Sequence, residues 1–317
     1  MNKKIIIPLL IISLTSCSKV NHLSSKVFCF ETLIDINLYE GKEDNLLDIK
    51  NEFLKLNNLT DNYHEISDVN GIYKINQTNE EISVDNELYD LLKTAYSLKD
   101  KGASNFNILC GSLSKKWKES LEKKEILSQS VIDEELTKIS STSLLFKENN
   151  IVQRVGEAEI DLGAIAKGYA LDKAKEYLVK NKISHYLINA GNSSILLGEK
   201  QSDEGLFNVG INDIPNAYFK AKNVFISTSG ISEQGVEING VTYSHIVNPN
   251  TGSVINENDS VIVITNSGYF SDAMSTSLMM NTVDEIKELE KEYNFKTIVI
   301  KDEKIIYSNK DIEVLKH

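Results

Sequence analysis

"EIDLGAIAKGYALDKA", residues 159–174, changes its hydrophobic period halfway through. Up to Asp161 apolar and polar residues alternate as in a half-buried strand, and Gly163 then permits a tight turn. Over 165–182 the apolar residues recur at helical spacing. The expected unit is a strand, a glycine turn and a helix N-terminus, with Gly168 early in the helix, where alanine would be the better helix former. Such a unit directs free backbone N–H groups and the positive end of the helix dipole at one point, which suits an anion. Lys167 stands in the first turn, where a cation is unfavourable for the helix itself, and an anionic ligand accounts for it. The spacing is neither a dinucleotide fingerprint nor a P-loop, so glycines serving close packing are the competing explanation. Asp161 is harder to assign to packing. Beside a phosphate it needs a partner of its own, such as a polar ring edge.

The same stretch divides the chain by element type. Before it, helical periodicity covers 43–57, 87–100, 108–120 and 130–139, with a strand-like run at 27–40 and short strands in "SLLFKE", "NIVQRV" and "AEIDLG". After it come "ISHYLINAG" and strands at 194–198, 206–210, 223–228, 235–239, 241–247 and 260–264. Helices at 270–280 and 283–292 follow, and "FKTIVI-KDEK-IIYSN" closes the chain as a hairpin. Helices gathered early and strands late predict an α+β fold, a mostly antiparallel sheet with packed helices. There is no internal repeat or low-complexity tract, and only 3 prolines, so residues 27–317 read as one large domain.

The ends and the charge set the context. "MNKK" followed by "IIIPLLIISL" has the basic and apolar regions of a signal peptide, so residues 1–17 are expected to be a targeting segment. Leu14-Thr15-Ser16-Cys17 resembles a bacterial lipobox, with Cys17 the lipidated residue, and an ordinary cleaved signal is the alternative. Residues 18–26, opening "SKVNHLSS", read as a polar tether. The chain is expected to be exported and anchored by lipid to the outer face of the cell membrane. A formal charge of −12 without a long basic tract argues against nucleic acid, whose phosphates need clustered Lys and Arg. Beyond Cys17 only Cys29 and Cys110 remain, and neither a disulfide framework nor a zinc site is indicated.

Two further stretches could carry chemistry. In "SGYFSDAMSTSLMM", 267–280, a helix puts Asp272, Ser275 and Thr276 at i, i+3 and i+4, on one side. A carboxylate and two hydroxyls are hard oxygen ligands suited to magnesium, which commonly adds substrate phosphates to few protein ligands. A helix-starting aspartate with Ser and Thr as filler is the plainer explanation. In "VTYSHIVNPNTG", 241–252, alternation runs to Ile246 before a turn at Asn248-Pro249-Asn250-Thr251-Gly252. His245, one of 5 histidines, acquires a function only if that strand end faces a ligand.

Together and in this order these stretches resemble the FAD:protein FMN transferases, the ApbE-like flavin transferase family. The resemblance is carried by "DLGAIAKGYALDKA", "LINAGNSS", "FISTSGISEQ", "YSHIVNPNTG" and "SDAMSTSLMM", with weaker matches at "FET", "LTDNYH", "YKIN" and "NFNILCGSLSKKW". It implies a T-fold-related domain that binds FAD and Mg2+ and transfers FMN to a Thr or Ser hydroxyl of an acceptor protein of an extracytoplasmic redox system, releasing AMP. By position it implies that Asp161 and Lys167 contact FAD, and that the Ala164 carbonyl joins Asp272, Ser275 and Thr276 around the metal. Asn105, Phe106 and Asn107 line the FAD site, His245 and Ile246 close over it, and Phe30 replaces the more usual methionine. Asn62 stands where some members carry a flavin-stacking tyrosine, which implies turnover of FAD rather than retention. "NAGNSS" departs from the usual "NAGGD" and puts any role for 192–194 in doubt. His245 is the expected base or orienter and Asp272 the expected catalytic metal ligand. With water as acceptor the same site would be an FAD pyrophosphatase, and without turnover a non-enzymatic FAD-binding lipoprotein.

Overall fold

Phe30 and Glu31, at φ 52° and 57°, break the run 27–40 into a hairpin. Strand β1 (Leu23–Cys29) pairs antiparallel with β2 (Thr32–Leu38), Cys29 opposite Thr32. A two-residue turn between twisted strands requires positive φ at both positions, and here two non-glycine residues supply it. The computed structural model describes residues 22–231, 235–238, 240–255 and 258–316. The expected signal peptide and Cys17 lie outside the described residues. β1 begins at Leu23, so the last part of the expected tether 18–26 belongs to a strand.

From β2 the main sheet continues through β3 (Tyr186–Ala190), β4 (Ser194–Leu197), β5 (Val224–Gly230), β6 (Ser260–Thr265), β7 (Lys296–Lys301) and β8 (Lys304–Ser308). All 8 strands lie side by side in chain order, each antiparallel to the next. The α+β, antiparallel expectation therefore holds, and the helices are insertions into this meander. Between β2 and β3 come α1 (Glu43–Thr60), α2 (Ile72–Asn76), α3 (Asn86–Ser97), α4 (Gly111–Glu122), α5 (Gln129–Ser141) and α6 (Ala166–Lys180). A small sheet of Glu81–Ser83, Ile151–Val155 and Ser143–Lys147 lies among them. Between β6 and β7 come α7 (Gly268–Leu278) and α8 (Val283–Tyr293).

The main sheet is covered on both faces, which explains the unbroken apolar runs "SVIVIT" and "KTIVIK". Phe225, Val261, Val263 and Val299 join the core shared with the helices. Their alternates Ile226, Ile262, Ile264, Ile298 and Ile300 form a second core with Phe207 and Phe219, from a small sheet of Phe207–Gly210, Ala217–Ala221 and Leu315–Lys316. Neither 217–221 nor the short α2 was expected from the sequence.

Helices α6 and α7 meet backbone to backbone. A Cβ on Gly168 would lie 2.0 Å from the Gly268 carbonyl oxygen, and one on Gly268 2.2 Å from that of Gly168. Asp172 of α6 caps the start of α7, accepting the N–H groups of Gly268 and Tyr269, each at 2.8 Å. This contact sets where the expected metal-binding face of α7 stands relative to the head of α6.

Three expectations fail locally. "AEIDLG" belongs to no sheet: the Asn76 side chain takes the place of a partner strand, accepting from Ile160 N at 2.7 Å and donating to Ile160 O at 2.9 Å. Gly163 does not use positive φ; its N–H donates to the Asp161 carboxylate at 2.8 Å, so the turn is made by the aspartate. The run 241–247 is also no single strand, because Val241–Tyr243 ends early and Ser244 Oγ accepts the N–H of Ile246 at 3.0 Å.

Candidate active site

Asp272 is buried at the junction of four elements. Its Oδ2 accepts the N–H of Gly168 at the head of α6, at 2.6 Å. Its Oδ1 accepts the hydroxyls of Ser194 on β4 at 2.7 Å and Ser227 on β5 at 2.5 Å. Gly168 is the third residue of α6, where a helix leaves its N–H groups without intrahelical acceptors, and Asp272 takes that N–H; the Ala164 carbonyl, before the N-cap Ile165, accepts no backbone N–H among the described residues. Ser275 donates to the Asp272 carbonyl at 2.9 Å, and Ser229 Oγ lies 2.9 Å from Ser275 Oγ and 3.2 Å from Thr276 Oγ1. The structure thus groups Asp272, Ser275 and Thr276 as the helical spacing predicts.

Among the described residues no three His, Cys, Asp or Glu side chains cluster as a metal site. No ion pair to Asp272 occurs among those of the described residues. A buried carboxylate without a salt-bridge partner, a carbonyl that accepts no backbone N–H and a half-buried Thr276 hydroxyl are all hard oxygens. They fit a small hard cation that completes its shell with ligand phosphates and water.

Lys167 in the first turn of α6 and His245 share one electrostatic neighbourhood. The His245 imidazole is reached by solvent but walled by protein, and its pKa falls below the ordinary 6.5, first by desolvation and then by the charge of Lys167. The turn after His245 is held by its own hydrogen bonds and by α4. Asn248 Oδ1 accepts the N–H groups of Asn250 and Thr251 at 2.8 and 3.2 Å, and buried Trp117 of α4 donates its indole N–H to Gly252 O at 2.8 Å. A Cβ at Gly252, φ 70°, would lie 2.4 Å from Ile132, so the turn is locked against α5.

Asp161 heads a second group. Burial raises its carboxyl pKa; the Gly163 N–H and Lys115 oppose the rise, and Glu31 adds to it. Tyr63 stands in the same field, with the ammonium groups of Lys115 and Lys118 at 5.0 and 5.1 Å from its ring centroid. Its phenol is pushed up to about 12 by desolvation and by carboxylates, that of Asp161 foremost. Tyr63 is 40% exposed, whereas Asn62 is buried, with its carbonyl accepting from Lys115 at 2.9 Å and its side-chain nitrogen unpartnered. At this bend the exposed ring belongs to Tyr63, next to the asparagine singled out from the sequence.

The remaining expected residues divide. Asn105 is a brace: its N–H donates to Ser277 Oγ at 3.1 Å, its Nδ2 donates to Asn281 Oδ1 at 3.2 Å, and its Oδ1 accepts from Asn250 at 3.0 Å. Phe106 and Asn107 line a cavity of about 650 Å3 with Tyr96, Leu136, Pro249 and Asn250. Phe30 is half-buried at its turn, its N–H donating to Asn57 at 2.6 Å, and Ile246 is buried beside His245. Burial pushes the thiols of Cys29 and Cys110, which are free, up to about 12. Sequence reasoning missed Ser194, Ser227, Ser229, Tyr63 and Asp172. Only "FISTSG" held a readable signal, since period two puts Ser227 and Ser229 on one face.

The model of the family described as the ApbE family matches residues 30–299. An FAD:protein FMN transferase of Treponema pallidum (strain Nichols) is 28% identical over 217 residues, 62% of this chain and 60% of that protein. Another, of Klebsiella pneumoniae (strain 342), is 28% identical over 208 residues, 62% of this chain and 63% of that one. The chain therefore matches less than two thirds of the length of either relative. Among solved structures, an ApbE protein of Thermotoga maritima superposes with a TM-score of 0.78 at 23% identity, covering 91% of this chain and 97% of that one. The flavin transferase ApbE from Vibrio cholerae gives 0.72 at 19% identity, covering 93% and 96%. At these identities the likeness is one of fold.

Proposed function

The chain belongs to the ApbE family, and from that premise we propose that it is an FAD:protein FMN transferase. In this reading FMN passes from FAD to a Thr or Ser hydroxyl of an acceptor protein, with Mg2+, and AMP is released. The observation that supports it most is the bond from the Gly168 N–H to Asp272, which holds the carboxylate at the head of α6, where the Ala164 carbonyl and the Thr276 hydroxyl are further hard oxygens.

Asp272, Thr276 and the Ala164 carbonyl would hold magnesium, with Ser275 supporting Thr276 through Ser229. Bound there, the ion supplies Lewis-acid neutralisation of the pyrophosphate charge. Lys167 and the positive end of the α6 dipole add positive potential to the same phosphates, so an acidic protein presents a locally favourable site, although the N–H groups of Ala166 and Gly168 are taken by Leu162 and Asp272. The acceptor oxygen bonds to the FMN phosphorus, the bond from that phosphorus to the oxygen retained by AMP breaks, and the hydroxyl proton passes to His245. Its lowered pKa keeps that imidazole neutral, and able to accept a proton, at pH 7. Asp161 and Tyr63 are placed to meet a polar ring edge and a ring face.

The test is incubation of the protein with FAD, MgCl2 and candidate acceptors, followed by mass spectrometry of the acceptors and chromatography of the nucleotides. Stoichiometric AMP and FMN-modified Thr or Ser are expected. Free FMN and AMP without an adduct would replace the transferase reading with a pyrophosphatase, and unaltered FAD would sink both. We further place the protein outside the cell, held to the membrane by lipid on Cys17 and so within reach of acceptors of an extracytoplasmic redox system. That placement rests on the sequence pattern of residues 1–17.

A further inference from the structure

We infer that Ser194 and Ser227 are positioning residues that withhold one oxygen of Asp272 from a bound cation and thereby favour magnesium or manganese over calcium. The inference rests on the metal reading above and concerns groups that reading leaves without a role.

Ser194 and Ser227 are 1% and 2% exposed, so their hydroxyls are shut off from bulk water. Both donate to the same oxygen, Oδ1 of Asp272, at 2.7 and 2.5 Å. Ser271, one residue before Asp272 on α7, donates to Ser227 Oγ at 2.7 Å, which commits the Ser227 proton to the carboxylate. A carboxylate oxygen offers two lone-pair sites, and both of those on Oδ1 are taken. Oδ2 accepts the single N–H of Gly168 and keeps one site open. Asp272 can therefore offer a cation one oxygen.

That restriction separates the hard cations. Calcium takes six to eight oxygens and readily uses both oxygens of a carboxylate, whereas magnesium is commonly served by one or two carboxylates with phosphate and water. β4, β5 and α7 each contribute one of the three serines, so the restriction is built into the packing of the main sheet against α7. Replacing Ser194 and Ser227 by alanine leaves Oδ1 free and lets Asp272 ligate through both oxygens.

The experiment measures Mn2+ binding by electron paramagnetic resonance on the full chain carrying one equivalent of FAD, with Ca2+ as competitor. Wild type, Asp272→Ala, Ser194→Ala, Ser227→Ala and the double alanine variant are compared. We expect wild type to bind Mn2+, Asp272→Ala to lose it, and the ratio of Ca2+ to Mn2+ affinity to rise about tenfold in the double variant. Each single alanine should shift the ratio the same way, which keeps the test decisive where the double variant does not fold. Absence of Mn2+ binding in wild type overturns the metal reading together with this inference. Binding that depends on Asp272 but shows an unchanged ratio in the alanine variants overturns this inference alone, and leaves the serines as structural filler.

Discussion

Gly168 donates its backbone N–H to Oδ2 of Asp272 at 2.6 Å, across 104 positions of sequence. The bond is possible because α6 and α7 touch through Gly168 and Gly268, whose missing side chains bring the first turns of the two helices together. The same contact fixes the carboxylate at the head of α6, so a packing feature and a chemical feature have one origin.

Gly168→Ala tests that origin. Its Cβ would sit 2.0 Å from the Gly268 carbonyl oxygen and 2.9 Å from the Asp272 carboxyl carbon, and neither neighbour can rotate away cheaply. The helices must separate, at a cost of about 3 kcal/mol on the overpacking scale. The urea midpoint should fall and AMP release should drop with it. A variant of wild-type stability and rate would show that the close approach is dispensable.

Asp272→Asn keeps the shape of the side chain and removes its charge. Its amide oxygen can still accept one set of donors, so the fold should survive with modest loss. AMP release from FAD in wild type should stop on chelation and return with added MgCl2. In the variant it should be near background at every MgCl2 concentration, and persistent magnesium-dependent release would reassign the ligand.

Asp172 gives a pH dependence of stability. Burial lifts its carboxyl from 3.8 to about 6 despite the two N–H groups of α7 that it accepts, and the charge of Asp272 adds to the rise. The folded state therefore holds this proton more tightly than the unfolded chain does. Sign follows from linkage: the contribution is fully present below pH 3.8 and is lost as pH rises through about 6. Its size is on the order of 2–3 kcal/mol. Stability measured by urea unfolding at a series of pH values should show that fall in wild type, and Asp172→Asn should lack it. Equal slopes in the two proteins between those pH values would refute the assignment.

The fold class was legible because the chain alternates element types in long blocks. The helical face carrying Asp272, Ser275 and Thr276 was also readable from i, i+3, i+4 spacing alone. What stayed hidden depended on contacts between distant segments. Asn76 imitates a strand for Ile160, and no local pattern marks an asparagine for that task. Phe30 and Glu31 make a turn that ordinarily calls for Gly or Asn, so the hairpin read as one strand. The hydroxyls of Ser194 and Ser227 acquire meaning only when β4 and β5 lie under α7. Gly163 shows the converse: its residue type suggests a conformational glycine, yet the turn belongs to Asp161.

His245 provides the sharpest chemical prediction. As a base it must be neutral, and its pKa is displaced below 6.5 by desolvation and then by Lys167. The rate of FMN transfer in wild type should therefore be level at neutral pH and decline only as pH falls through that lowered value. His245→Ala should transfer FMN about a hundredfold more slowly or worse, as expected for a lost general base. It should also lose the acidic limb of the profile, because the titrating group is gone. FAD affinity, followed by quenching of flavin fluorescence, should change little, since the phosphates keep Lys167 and the head of α6. Lys167→Met separates the two causes of the shift: with the neighbouring charge removed, the limb should move toward 6.5, and a limb that stays in place would leave desolvation as the sole cause.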